Sequence, residues 1–338
     1  MATVRRAFDR GIRFFDTAPT YGGSEALIGR ALAAHRDEVL LATKVGPSDD
    51  VAASLEASLR RMGTDRVDVL QLHEVGVRFE GSLEAMTRLR EAGKALHLGL
   101  SNATSPQIRK AIELAAIEGY QGPYNLFDRE AEQRVLPLSL ERGVAFLAYR
   151  PLASGLLAGT FGADPPPFEE GDHRARIYWF KGREYERRQA VIARLRHLAE
   201  RRGTPLPALA LGWVLARPGV GIALAGARTP EQVDQNVSAG HRPLGPDEIG
   251  EIDTVVAEVF RPPASTARAR ELAAGWAARE RFIVERLDGT GSYEAVAAEW
   301  SDGERPPLTT AQVKVFADDL VERGLATPAQ TDRQAEHR

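Results

Sequence analysis

The chain has no cysteine. Disulfides, thiolate metal sites and cysteine nucleophiles are excluded together, which fits a reducing compartment. Long apolar runs are also missing. Nothing approaches the roughly 18 consecutive apolar residues of a membrane span, and the opening MATVRRAFDRGIRFF has no apolar stretch of the kind a secretory signal carries. A cytoplasmic protein without a membrane partner is expected. Charge of one sign is not in excess: 44 basic and 47 acidic residues leave a formal charge of -3. No field is available to gather nucleic acid or anionic lipid, so no nucleic-acid partner is expected. There is no G-x-G-x-x-G after a strand, no Walker A loop and no H-E-x-x-H. A Rossmann site and a zinc hydrolase have no motif support, and no metal is expected.

What remains is an ordinary globular composition, 43% hydrophobic and 27% charged, over 338 residues. That length suits one large domain and a small one. Short runs, apolar nearly throughout, recur at Ile12–Thr17, Val39–Lys44, Val67–His73, Ala95–Ser101, Tyr120–Leu126, Val144–Tyr149 and Val220–Gly226. Such runs suit strands covered on both faces of a parallel sheet. Helix signals lie between them. Ser24 reads as an N-cap, Ser105-Pro106 and Thr229-Pro230 each place a cap before proline, and Thr229 and Gln232 have capping-box spacing. Gly63 and Gly93 sit where helices end. Repeated βα units imply an α/β fold, a (β/α)8 TIM barrel with its first strand missing, because seven strands are readable where eight close a barrel. Gly122-Pro123 weakens the Tyr120–Leu126 run as a central strand.

The domain reading is a barrel over 1–260, a linker over 261–267 opened by Arg261-Pro262-Pro263, a small mainly helical domain over 268–326, and a flexible polar tail over 327–338. In the small domain, helices are expected over about Arg268–Leu287, Tyr293–Trp300 and Ala311–Arg323, with Thr309 and Gln312 capping the last and Gly324 ending it. A long loop, Leu152–Arg187, follows the Tyr149 strand, and loops at such strand ends commonly build sites.

Candidate chemistry sits at the strand ends. Asp16 ends one strand and Tyr21 follows in the turn; Lys44 ends the next strand and His73 the one after. In a barrel these ends share one mouth. Each residue alone has an ordinary explanation: a helix cap for Asp16, a snorkelling Lys44, packing for Tyr21, a structural His73. Together they allow proton transfer to a carbonyl oxygen. A nearby lysine cation would lower the tyrosine pKa and make Tyr21 a general acid. Asp16 would hold Lys44, and His73 would orient the substrate oxygen. With no nucleophile needed, the electrons would come as hydride from a cofactor.

The segments FFDTAPTYGGSE, LLATK, DVLQLHE, LGLSN, YQGPYNLFDRE, AYRPLASGLLAG and GARTPEQVDQN resemble the aldo-keto reductase superfamily, in the family's order, over roughly Ala2–Phe260. The resemblance implies an NADPH-dependent oxidoreductase that reduces a small-molecule aldehyde or ketone, with Tyr21 as acid and Lys44, Asp16 and His73 completing a tetrad. It implies that Ser101, Asn102 and Gln121 hydrogen-bond the nicotinamide carboxamide and that Tyr149 stacks on the ring. Leu152, Ser154 and Leu156 would pass the pyrophosphate, with Arg150 beside it where the family often has serine. Gly226 opens the segment in which Arg228, Gln232 and Asn236 would hold the adenosine end. The helix starting at Pro230 presents free amides, and Arg228 offers a fork for a 2′-phosphate, which favours NADP(H). The family's first strand has no counterpart, which predicts bare edges on the Ile12 and Val220 strands. The segment RFIVERLDGTGSYEAVAAEW with LTTAQVKVFADDLVERGLA resembles winged-helix-like peptide-recognition modules, so a peptide or protein partner is a further expectation. The alternative reading is a non-catalytic NADP(H)-sensing or partner-binding subunit derived from a reductase.

Overall fold

In the computed structural model seven strands pair in parallel, each with the next in sequence. They are β1 (Phe14–Asp16), β2 (Leu40–Val45), β3 (Val67–Leu72), β4 (Ala95–Ser101), β5 (Gly119–Pro123), β6 (Ala145–Tyr149) and β7 (Val220–Leu224). The structure describes residues 1–47, 50–260, 264–265, 269–270, 273, 276, 278–288, 292–300, 308–322 and 325–327. Helices α1 (Ala2–Asp9), α2 (Ser24–Leu32), α3 (Val51–Met62), α4 (Phe79–Glu91), α5 (Ser105–Ala115), α6 (Ala131–Arg142), α7 (Gly182–Arg202), α8 (Leu206–Leu215) and α9 (Pro230–Val237) alternate with them. The result is the expected (β/α) barrel, nearly closed, with seven strands. Strands β2 to β6 are apolar because they are covered on both faces: Leu70, Leu72, Leu98, Leu100 and Phe146 are fully buried.

The described residues divide into two compact units, Met1–Thr160 with Leu198–Gly245, and Phe161–His197 with Pro246–Arg338. In the first unit, β1 and β7 are the outer strands of the sheet. Of β7 only Gly221 is exposed and its other four residues are half-buried, while on β1 Phe15 is buried. The helical layer is continuous where the strands are not. Arg6 on α1 donates both Nε and Nη2 to the Asp234 carboxylate of α9 at 2.9 and 2.8 Å, Arg10 approaches the same group at 3.1 Å, and Thr3 Oγ1 donates to the Arg228 carbonyl.

Three local expectations need correction. Strand β5 is a full central strand, paired with β4 and β6; Pro123 is its last residue, so no ladder amide is lost inside it. Gly122 is needed there because a Cβ would fall 2.8 Å from the Tyr120 ring and 3.2 Å from that of Phe146. Gly23, not Ser24, caps α2; the Ser24 hydroxyl accepts from Thr17 Oγ1 instead. Thr104, not Ser105, caps α5, with Gln107 completing a capping box, so proline stands one position further in. Thr229 caps α9 and Gly63 ends α3 in the left-handed region as expected.

The second unit holds the loop after β6, most of α7, and helices α10 (Pro246–Phe260), α11 (Ala278–Arg286), α12 (Tyr293–Trp300) and α13 (Thr310–Glu322). The rings of Phe161, Phe168 and Phe180 pack edge to face, and the Tyr185 hydroxyl donates to the Gly162 carbonyl at 2.6 Å. Ile283, Val284, Val296, Trp300, Val313, Ala317 and Leu320 form one core. A charged cluster ties α7 to α13: Glu184 accepts from Arg188 and Lys314, each at 2.5 Å, and Arg187 pairs with Asp318 at 3.4 Å. Thr309 and Gln312 cap α13 reciprocally. Most of the linker, Gly324, and the tail beyond Thr327 lie outside the described residues. Among the described residues no helix is long and apolar enough to cross a membrane.

Candidate active site

Register brings the polar residues of successive strands together. Asp16 pairs with Ala42, and Lys44 with Gln71, which in turn pairs with Gly99; Ser101 pairs with Gln121. The Lys44 ammonium is fully buried and donates to Asp16 Oδ2 at 2.6 Å and to the Thr17 carbonyl at 3.0 Å. Burial lowers the Lys44 pKa, while the Asp16 carboxylate opposes that shift. Asp16 Oδ1 accepts two amides, from Gln71 Nε2 at 3.0 Å and Gln121 Nε2 at 2.9 Å. Asp16 is therefore no helix cap and Lys44 does not snorkel.

Tyr21 is 47% exposed, and its ring centroid lies 4.9 Å from Lys44 Nζ. The His73 ring meets it edge-on, centroids 6.0 Å apart at 86°. All four candidate residues thus converge. The expected lowering of the tyrosine pKa is not found. Partial loss of water and the Asp16 carboxylate push the phenol up to about 12. The physical reason is that burial outweighs the neighbouring charges, of which Arg150 opposes the rise. Tyr21 keeps its proton at any physiological pH. Burial and then the Lys44 charge lower the His73 pKa below its ordinary 6.5, so the imidazole is neutral at pH 7.

Beside this cluster, Asn102 takes the left-handed conformation (φ 52°) just after β4. Its Nδ2 donates to the His73 carbonyl at 2.9 Å, and its Oδ1 accepts from the Tyr149 hydroxyl at 2.8 Å. Ser101 and Gln121 are buried at the adjoining strand ends. The exit from β6 is left-handed at Arg150 (52°), Ala153 (49°), Ser154 (56°) and Gly155 (95°). Such backbone turns amides into a concave surface suited to anions. The Ser154 hydroxyl is buried without a hydrogen-bond partner. Leu152 packs on Ala208, Leu211 and Ala239, Leu156 is fully buried, and the exposed Arg150 guanidinium lies 5.2 Å from the Tyr149 ring centroid. The third group sits at the start of α9. Gly226 and Arg228 are exposed, Asn236 is half-buried on α9, and Gln232 Oε1 accepts from the Arg228 amide at 2.7 Å.

Gln71 was not singled out from sequence, although a signal existed. It is the polar residue two positions before His73 in an apolar strand, which puts both on one face. Beneath the site, buried Glu25 of α2 accepts from Thr43 Oγ1 at 2.7 Å and Arg61 Nε at 2.5 Å, which anchors α2 and α3 to β2. The cluster offers a protonated phenol, a neutral imidazole and a buried ammonium, a set that can give a proton to a carbonyl oxygen and stabilise charge there.

Residues 1–257 match the model of the aldo/keto reductase family. The chain is 33% identical over 280 residues to the aldo-keto reductase YhdN of Bacillus subtilis, covering 77% of this chain and 84% of that protein. It is 29% identical to the NADH-specific methylglyoxal reductase of Escherichia coli, covering 70% and 81%. Among solved structures, a glycerol dehydrogenase from Gluconobacter oxydans is similar with a TM-score of 0.71 and 33% identity, covering 76% of this chain and 84% of that one. An aldo/keto reductase from Klebsiella pneumoniae, solved with NADP and acetate, gives 0.62 and 28%, covering 75% and 84%.

Proposed function

The chain belongs to the aldo/keto reductase family, an oxidoreductase family that uses nicotinamide cofactors, and on that premise we propose that it reduces an aldehyde or ketone with NADPH, Tyr21 acting as proton donor. The observation that carries this reading is the convergence of Tyr21, Lys44, Asp16 and His73, with Lys44 fully buried on Asp16. A bound nicotinamide cofactor supplies the hydride. This chain's residues supply the rest. The Tyr21 hydroxyl gives its proton to the substrate oxygen as the carbonyl carbon gains the hydride and becomes an alcohol. Neutral His73 donates a hydrogen bond that aims that oxygen. Lys44, held by Asp16, provides positive charge for the phenolate left behind.

The residues present fit such a cofactor. Ser154 has a buried hydroxyl without a partner in a left-handed run of backbone. Ser101, Asn102 and Gln121 would hold the carboxamide, Tyr149 would face the ring, and Arg150, Leu152, Ser154 and Leu156 would line the pyrophosphate path. Gly226, Arg228, Gln232 and Asn236 would hold the adenosine end. The preference for NADP(H) rests on exposed Arg228 at the start of α9, whose first-turn amides are capped by Thr229 and so leave the guanidinium as the group that would read a 2′-phosphate.

Tyr21→Phe tests the reading. Turnover of nitrobenzaldehyde should fall by about 10²–10⁴-fold, the ordinary worth of a general acid, while NADPH affinity read by fluorescence stays within about 2-fold. Near-full turnover in that variant would remove Tyr21 from the mechanism.

A further inference from the structure

The first turn of α9 has little left to offer an anion. Pro230 carries no amide, the Gln232 amide donates to Thr229 Oγ1 at 3.3 Å, and the Val233 amide donates to the Thr229 carbonyl at 3.3 Å. The Glu231 carboxylate turns back on its own amide and on the Thr229 hydroxyl, and these bonds lower its pKa. A carboxylate therefore already sits where the helix would favour an anion, and Asp234 adds a second negative charge one turn on. Against these two, the segment from Gly226 to Val237 carries only Arg228. Further positive charge must come from another element.

That element is α1. With its cap residue it carries Arg5, Arg6 and Arg10 against a single acid, Asp9. Arg6 gives two hydrogen bonds to the Asp234 carboxylate, and Arg10 lies 3.1 Å from it. Helix α1 also holds the backbone beside α9. Arg228 is gripped through both of its peptide groups: its amide donates to Gln232 Oε1 at 2.7 Å, and its carbonyl accepts from Thr3 Oγ1 at 3.0 Å. Among the described residues its guanidinium has no hydrogen-bond or ion-pair partner. A backbone fixed from two helices, ending in an idle cationic fork, is prepared for an anion before the anion arrives. We propose that α1 is the second half of the adenosine-end site: Thr3 fixes the Arg228 backbone, Arg6 and Arg10 cancel Asp234, and together they set the preference for NADPH over NADH. Thr3 and Arg6 are positioning residues, and neither has to touch the cofactor. The proposal rests on the reading that Arg228 meets the 2′-phosphate.

Fluorescence titrations of NADPH and NADH on the full-length protein test it. An ion pair that only holds two helices together predicts the same loss whichever half is removed. The proposal predicts opposite signs. Arg6→Gln leaves Asp234 with Arg10 alone and should weaken NADPH about 3–10-fold at low salt, the effect of one unit charge acting on a phosphate through water. Asp234→Asn removes the negative charge instead and should leave NADPH at or above its wild-type affinity. The double variant should bind NADPH within about 2-fold of wild type. NADH should move less than about 2-fold throughout, and the Arg6→Gln loss should fade in high salt because the pair is exposed. Equal weakening of NADPH by Arg6→Gln and Asp234→Asn overturns the proposal.

Thr3 is tested through Arg228. Thr3→Val removes the hydroxyl and keeps the shape. It should weaken NADPH about 3–10-fold, the worth of one neutral hydrogen bond, and NADH less than about 2-fold. Thr3→Ser keeps the hydroxyl and should stay within about 2-fold of wild type for both. In an Arg228→Ala background Thr3→Val should change NADPH affinity by less than about 2-fold, since no guanidinium is left to place. An equal effect of Thr3→Val in both backgrounds overturns the proposal, and so does the absence of any effect with Arg228 present. If Arg228→Ala weakens NADPH and NADH alike, the underlying reading of Arg228 fails. If Arg228→Ala singles out NADPH while the changes at Thr3, Arg6 and Asp234 do not, only the present proposal fails.

Discussion

Removing Lys44 should separate stability from activity. Its ammonium is fully buried and its partner Asp16 is 12% exposed. In Lys44→Met the volume is kept but the carboxylate loses its counter-charge. Breaking a buried pair from one side costs about 3–5 kcal/mol. Two amides remain on Asp16 Oδ1, which places the loss at the low end, about 3 kcal/mol. For a chain of 338 residues that is a drop of roughly 4 °C in Tm. The double change Asp16→Asn with Lys44→Met removes both charges and keeps an acceptor for the glutamine amides. Since desolvating an ion pair is itself expensive, the double variant should recover to within about 1 kcal/mol of wild type. Neither variant should reduce an aldehyde at more than about 1% of the wild-type rate, because the positive charge behind Tyr21 is gone. Circular dichroism melts and NADPH oxidation followed at 340 nm read the two properties separately. If Lys44→Met melts with the wild type, or the double variant is less stable than either single one, the ion pair does not make the contribution to stability assigned to it.

Arg228→Ala should weaken NADPH by roughly 10–150-fold, the loss of one charge-assisted contact, and leave NADH nearly unchanged. The difference should shrink in high salt because the site is exposed, and equal losses for both cofactors would show that the arginine does not read a 2′-phosphate. Glu184 governs the acid limb of the second unit. Burial alone would raise its carboxyl, but Lys314 and Arg188 outweigh burial and hold it at about 2. A depressed carboxyl pKa gives stability that is full above about pH 4.5 and lost as the pH falls toward 2, roughly 3 kcal/mol at most. Burial and Arg188 also lower Lys314, to about 8, so the pair as a whole is worth less than the carboxylate alone suggests, and the neighbouring Asp318 carboxyl, raised by burial, offsets part of the acid effect of Glu184. Trp179, Trp276 and Trp300 lie in this unit, so tryptophan fluorescence between pH 5 and 2 should show Glu184→Gln less stable at pH 5 and flatter toward acid. A variant whose acid transition overlays the wild type would exclude this role.

The barrel was legible because doubly covered strands must be apolar throughout, and a run such as Ala95–Ser101 can be nothing else between two amphipathic helices. Ends were less legible. Thr104 and Ser105 are both capping residues, and only the backbone decides between them; the structure selects Thr104 because Gln107 can bond back to it. Gly122-Pro123 misled for a related reason. The pair reads as a break, yet here glycine answers ring crowding and proline ends the strand. The catalytic candidates were legible by type and place, but their electrostatics were not. The proximity of Tyr21 and Lys44 suggested a lowered phenol, whereas burial and the Asp16 carboxylate leave it raised, and the ammonium is turned toward Asp16 and the Thr17 carbonyl. Direction is a property of register and rotamer, and a sequence does not print it. Gln71 escaped for the opposite reason, since a glutamine in a strand is usually unremarked until its burial is known.

These misreadings share a cause that bears on how the site works. From β1 to β6 the mouth end of nearly every strand carries a polar side chain in an otherwise apolar run: Asp16, Lys44, Gln71, Ser101, Gln121 and Tyr149. A buried polar group is costly unless it is paired, and for Lys44 and Asp16 the partners lie on other strands, so these two are satisfied by the barrel rather than by their own segments. Lys44 needs β1, and Asp16 needs β3 and β5. The chemistry therefore depends on the relative register of four strands. A change at any one of them that leaves secondary structure intact should still reach Lys44 through Asp16. Gly99 shows how far this extends, because a single methyl group on β4 would press on Gln71 of β3, which holds Asp16 of β1, which holds Lys44 of β2.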